Sequence, residues 1–286
     1  MFSYIVGGLA ILLFFYNPIV QFLAPDAIGR IPRTPRPAIN ESLLAVDGVN
    51  DMPPTCGRDA YSIHLLSKAP LVVYIENFVT EGERKHLLEI SEPLFAPATI
   101  TSDGSNTYQN TSIRDSSVAL LPRDDTVRCI EQRALGFQGF RDDLWIERLR
   151  TQRYVEGGHY AHHFDWGSGA RGWGRVSSMM VWVAADGVEG GGTEFPLLRM
   201  RGPKETWCRW VECAEAKGGE DGEPEATDGE DETGLTFKPI SGNAVFWENF
   251  RPDGSGRGYE ETWHAGLPVK KGVKVGLNIW SWGRLD

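Results

Sequence analysis

At 286 residues, with 41% hydrophobic and 24% charged side chains, the chain has room for one sizeable folded domain plus a short N-terminal tract, and its composition is not that of a disordered protein. The formal net charge of −10 excludes a broad basic surface, so no nucleic-acid partner is expected. Four cysteines without zinc-finger spacing exclude both a disulfide scaffold and a zinc finger.

In chain order, Phe2 to Leu23 carry no charged side chain and are long enough to cross a bilayer, with Asn17-Pro18 as a kink. Residues 1–24 are therefore expected to be a transmembrane signal anchor or a signal peptide. No positive charge precedes the run and no small-x-small cleavage site ends it, which favours the anchor. Arg30, Arg33 and Arg36 follow the run, and the positive-inside rule would leave the body in the cytosol. Two glycosylation sequons, Asn40-Glu41-Ser42 and Asn110-Thr111-Ser112, argue for the opposite side. The expectation adopted is a single-pass protein of the endoplasmic reticulum membrane with a lumenal body.

Residues 25–69, rich in Pro, Arg and small side chains, read as a linker or stem, and the folded domain is expected over 70–286. Pro70–Ile75 has strand composition. Thr80-Glu81-Gly82-Glu83 is a capping box, followed by an amphipathic helix through Ile90. From Arg150 onward, β-like runs dominate: 151–155, 177–184, 235–238, 244–247 and 273–282, separated by turn signals. That spacing predicts an antiparallel sandwich or barrel. Cys208 and Cys213 flank Trp210 and are either a local bridge or two thiols in a strand. The acidic, Gly-rich loop at 214–234 reads as a solvated insertion, without the ligand spacing of a calcium loop.

Of six histidines, only His163 is followed two residues later by aspartate, in His163-Phe164-Asp165. Strand alternation would turn both side chains to one face, and a third ligand from a distant strand would complete a two-histidine, one-carboxylate metal site with open positions. His264 is the only histidine downstream of the pair. One His-x-Asp arises by chance in roughly one such chain in three, so the surrounding residues carry the weight.

Those residues are Thr151-Gln152-Arg153-Tyr154, His163-Phe164-Asp165, Gly191-Gly192-Thr193-Glu194-Phe195-Pro196, Gly242-Asn243-Ala244-Val245-Phe246-Trp247, His264, Lys274 and Trp280. In this order they resemble the catalytic domain of prolyl 4-hydroxylases, from about Pro70 to the C-terminus. The resemblance implies an α+β, mainly β fold: a double-stranded β-helix, or jelly roll, with flanking helices, preceded here by the N-terminal hydrophobic helix. It implies His163, Asp165 and His264 as Fe(II) ligands and Lys274 as the partner of the distal carboxylate of 2-oxoglutarate. Tyr154 and Thr193 match positions that hydrogen-bond that co-substrate. Tyr160 and Trp280 match groove-lining positions and Arg175 an active-site arginine; for these three, ordinary packing is an equal alternative. L-Ascorbate is implied as the reductant that rescues the iron, and a proline-containing polypeptide as the substrate.

Trp282 departs from relatives that carry a Leu-His pair after the tryptophan, and the insertion at 217–234 lengthens a loop that many keep short. Two other readings stand beside peptidyl-proline hydroxylation. One is the same chemistry on another peptide side chain or a small natural product. The other is a jelly roll that binds without catalysis.

Overall fold

The computed structural model describes residues 41–48, 51–102, 106–168, 172–199, 206–213 and 233–285. All lie within one compact unit, Pro37–Asp286. The expected hydrophobic helix, the anchor and most of the acidic loop lie outside the described residues. Among the described residues no helix is long and apolar enough to cross a membrane.

Two antiparallel sheets dominate. The larger runs in the order Ser62–Lys68, Leu71–Glu76, Ala244–Glu248, Trp173–Ala184, Lys274–Arg284, Arg150–Tyr154, Ser117–Leu120, Ala96–Pro97, with Trp145–Ile146 also paired to Lys274–Arg284. The smaller runs Thr233–Phe237, Thr193–Arg199, His264–Gly266, His159–His163, Arg114–Asp115. The chain passes repeatedly from one sheet to the other, as a jelly roll requires.

Period-two alternation explains the layering. Val72, Tyr74, Met180, Trp182, Val245 and Trp247 turn from the large sheet toward Phe195, Leu235 and Phe237 of the small one. The intervening residues Val73, Ile75, Met179, Val181, Phe246, Leu277 and Ile279 form a second core on the outer face, where two helices cover them. Those helices are Glu81–Ser91, which contributes Leu87, and Asp125–Phe137, which contributes Val127, Ile130 and Ala134. The first has the capping box expected from its sequence: Thr80 accepts from the Glu83 N–H, and the Glu83 carboxylate accepts from the Thr80 N–H at 2.8 Å.

The expected stem needs correction over its described part. Ser62–Lys68 is an edge strand of the large sheet. Leu44 bridges to Glu147 and packs with Trp173 and Trp282. Arg123 binds the Val46 carbonyl and Asp47, and a Cys56–Cys129 disulfide ties residue 56 to the second helix. These are tertiary contacts with distant residues, so local composition could not announce them.

Candidate metal and co-substrate site

His163 ends the strand His159–His163 and lies directly opposite His264 of His264–Gly266. Cross-strand partners approach closely, and the two imidazole centroids are 4.3 Å apart. Asp165 is not on that strand, as alternation had suggested. It opens a short 3-10 turn, Asp165–Ser168, which still brings its carboxylate to within 3.7 Å of His163 Nε2 and 3.9 Å of His264 Nε2. One ligand atom from each residue lies within 4.8 Å of the others.

The backbone sets which nitrogens are available. His163 Nδ1 is 2.8 Å from the Ala161 carbonyl and His264 Nδ1 is 2.9 Å from the Thr262 carbonyl. A carbonyl only accepts, so Nδ1 carries the proton and each Nε2 keeps its lone pair toward Asp165. Trp280, from the large sheet, donates its indole N–H to Asp165 Oδ2 at 2.9 Å. Burial and the neighbouring His264 push the His163 pKa down to about 3, which keeps the ring neutral. Burial pulls Asp165 upward, but His264, His163 and Arg175 prevail and hold it below its usual value. Two imidazoles that turn their Nε2 atoms inward and one carboxylate suit Fe(II).

The cavity beside this cluster is lined by Gln152, Tyr154, Thr193 and Asn278, with Lys274 at its inner end. Lys274 is 1% exposed, and among the described residues no carboxylate lies within ion-pair distance. Its ammonium donates to the Gly191 carbonyl at 2.6 Å and sits 4.7 Å from the Tyr154 ring centre. Gly191 presents that carbonyl from a φ of +68°, a conformation that favours glycine. Burial pushes the Lys274 pKa down to about 8. A buried cation without a counter-ion is costly, and a dianion in this cavity would supply the missing partner. Trp247 also lines the cavity, and its buried indole N–H has no hydrogen-bond partner among the described residues. These features fit a small dicarboxylate adjoining a metal ion.

At the mouth, Tyr160 stacks on His163 at 3.8 Å between ring centres, and the Arg114 guanidinium lies 4.6 Å from the Tyr160 ring. Arg175 covers Trp280 at 3.8 Å and holds Glu147 through two hydrogen bonds of 3.0 and 3.2 Å. All nine residues singled out from sequence therefore lie in or against one site. Sequence reading assigned no role to Gln152, Met180, Trp247, Asn278, Arg114 or Glu147. Alternation from Tyr154 and Lys274 would have found Gln152 and Asn278, since each lies an even number of residues away on the same strand. Arg114 and Glu147 carried no local signal.

The 2OG-Fe(II) oxygenase superfamily model matches residues 149–282, a span that contains His163, Asp165, His264 and Lys274. Over that span the chain is similar to this superfamily. It is a 2-oxoglutarate-dependent dioxygenase, in agreement with the resemblance carried by its motifs. Among curated proteins, it is 27% identical over 224 residues to probable prolyl 4-hydroxylase 10 of Arabidopsis thaliana, covering 76% of this chain and 71% of the relative. It is equally identical to prolyl 4-hydroxylase 5 of the same plant, over 76% and 70% of the two chains. Among solved structures, the 2OG complex of viral collagen prolyl hydroxylase from Paramecium Bursaria Chlorella virus-1 aligns with a TM-score of 0.48 at 20% identity, covering 74% of this chain and 95% of that one.

Proposed function

We propose that this dioxygenase hydroxylates proline in a polypeptide, with His163, Asp165 and His264 holding Fe(II) and Lys274 holding 2-oxoglutarate. The observation that carries the co-substrate assignment is Lys274: a buried ammonium with no counter-ion among the described residues, in the cavity that also contains the three metal-ligand candidates. The bound iron supplies the oxidising chemistry, in which O2 and 2-oxoglutarate yield succinate, CO2 and a hydroxylated C–H position.

The chain's own residues contribute geometry. Lys274 fixes the distal carboxylate by a charge-assisted hydrogen bond, and its distance from the triad sets which end of the co-substrate reaches the metal. Tyr154 flanks the Lys274 ammonium, and Thr193 lines the same cavity from the small sheet. Trp280 holds Asp165 Oδ2, leaving Oδ1 for the metal. Tyr160 on the small sheet, and Trp280 with Arg175 on the large sheet, are the groups against which the peptide would lie. The choice of peptidyl proline rests on the prolyl 4-hydroxylases among the relatives and on these aromatic residues. L-Ascorbate is proposed as the reductant.

We place the protein at the endoplasmic reticulum membrane, anchored through residues 2–23, with the catalytic body of 70–286 and its packed stem in the lumen. Two disulfides, Cys56–Cys129 and Cys208–Cys213, favour that oxidising side. They weigh against the arginines that follow the hydrophobic run.

The test is succinate formation by the protein with Fe(II), ascorbate and proline-rich peptides, set against His163→Ala and Lys274→Ala and a control without peptide. Turnover abolished in His163→Ala, a raised 2-oxoglutarate requirement in Lys274→Ala and hydroxyproline in the peptide are the expected results. Turnover without hydroxyproline in any peptide would move the assignment to another substrate. Turnover that persisted in His163→Ala would remove the metal assignment.

A further inference from the structure

The mouth of the site is positively charged in a protein whose net charge is −10. Arg150 lies directly opposite Asn278 in the large sheet, on the face that also presents Gln152 and Tyr154. Its nearest carboxylate is Glu147, 3.6 Å away. Glu147, however, is 3% exposed and fully engaged: both oxygens accept from Arg175, and Oε2 also accepts from the Trp282 indole at 2.9 Å. The Arg150 guanidinium donates no hydrogen bond to any described residue, although it is 28% exposed. Arg114, on the opposite wall over Tyr160, donates only to the Ser116 hydroxyl and has no carboxylate partner among the described residues. Arg175 and Arg150 thus share one carboxylate, Arg114 has none among the described residues, and Arg150 and Arg114 both keep idle donors. Burial and the nearby cations Arg175, Arg114 and Arg148 outweigh Glu147 and hold the Arg150 pKa below its usual value, which reflects the same crowding.

Like charges crowded in a partly desolvated wall are unfavourable unless a ligand relieves them. A guanidinium with free donors matches a carboxylate in shape and charge. We propose that the preferred substrate carries a carboxylate beside the reacting proline, held by Arg150 with help from Arg114. This rests on the proline-hydroxylase reading above and adds to it the chemistry of the flanking residue. The carboxylate can come from an acidic side chain or from a free C-terminus directly after the proline.

The experiment uses the full chain with Mn(II) and 2-oxoglutarate, so that binding is measured by calorimetry without turnover. Four short peptides are compared. Three are capped at both ends and differ only in Glu, Gln or Lys next to proline; the fourth ends in proline with a free carboxylate. The same peptides are then incubated with Fe(II), and hydroxyproline is read by mass spectrometry. The Glu peptide is expected to bind about tenfold more tightly than the Gln peptide, with Lys weakest, and the ratio is expected to shrink as salt is added. In Arg150→Gln the Glu-to-Gln ratio falls to within about twofold, and in Arg150→Glu the order inverts so that Lys binds best. Tightest binding by the free C-terminus would assign the carboxylate to a chain end and keep the proposal. Equal binding of the Glu, Gln and Lys peptides by the unmodified protein, with proline still hydroxylated, overturns it and leaves the proline reading intact. If none of the peptides binds or gains a hydroxyl, both readings fall together.

Discussion

Lys274 works against the fold in the absence of its ligand. Its pKa is pushed down to about 8 by burial, against an ordinary value of 10.5. In that interval the unfolded chain binds more protons than the folded one, so the lysine's contribution makes the ligand-free protein more stable as pH rises from about 8 to 10.5. Binding of a dianion needs the charged form, so 2-oxoglutarate affinity should fall as pH climbs past about 8, a trend that Lys274→Met should lack. Lys274→Met should also stabilise the ligand-free fold by about 1 kcal/mol, or ~2–4 °C in Tm, while weakening co-substrate binding. Thermal denaturation with and without 2-oxoglutarate reads both effects; a variant that is destabilised and responds to 2-oxoglutarate at the same concentrations as the unmodified protein would contradict the assignment. The indole of Trp280 gives a second check. Trp280→Phe keeps the ring under Arg175 but removes the donor to Asp165, and loss of such a supporting hydrogen bond typically weakens metal binding by about 10–100-fold. A metal titration monitored by calorimetry would show it.

At the scale of elements, what could be read in advance follows from how local each signal is. The strands 71–76, 150–154, 173–184, 244–248 and 274–284 have β-branched or aromatic residues and bordering turn residues within a few positions of one another, and they form close to where composition places them. The Thr80–Glu83 capping box is likewise written in four consecutive residues. The helix Asp125–Phe137 is not among the elements expected from the sequence, although Asp124 caps it and Val127, Ile130 and Ala134 recur at helical spacing. Nothing local could reveal what binds that helix to the rest. Arg133 is buried and joins Glu83 on the first helix at 2.7 Å, the Phe78 carbonyl at 2.8 Å, and Asp59 of the supposed stem. One guanidinium therefore clamps both helices and the stem. Removing it strands Glu83, whose pKa burial would raise but Arg133 and Thr80 keep low. Arg133→Ala should cost about 3 kcal/mol, read as a lower denaturant midpoint. A cost below about 1 kcal/mol would mean that these ion pairs contribute no more than exposed ones do.

At the scale of the whole molecule, the two disulfides tie the stem's packing to the compartment. The Cys56–Cys129 bridge closes a separation of 73 residues and fastens the stem to the helix layer, whereas Cys208–Cys213 closes a separation of only 5. Chain-entropy arguments give the longer loop the larger effect, typically about 2–4 kcal/mol. Cys56→Ser with Cys129→Ser should therefore lower stability clearly more than Cys208→Ser with Cys213→Ser. Because the stem packs Leu44 against Trp173 and Trp282, and Trp282 in turn binds Glu147 at the site mouth, loosening the stem should also weaken peptide binding more than 2-oxoglutarate binding. That bridge persists only on an oxidising side of the membrane. If the body is lumenal, protein taken from cells with its thiols trapped should carry no free cysteine, and glycosidase treatment should shift its mobility through the half-exposed Asn110. A body recovered with all four thiols free would place it in the cytosol, as the arginines after the hydrophobic run suggest. The catalytic geometry would be unaffected, because none of the four cysteines lines the metal site, but the stem would then be held by the Arg133 and Arg123 clamps, the packing of Leu44 and the pairing of Ser62–Lys68 without its covalent tie.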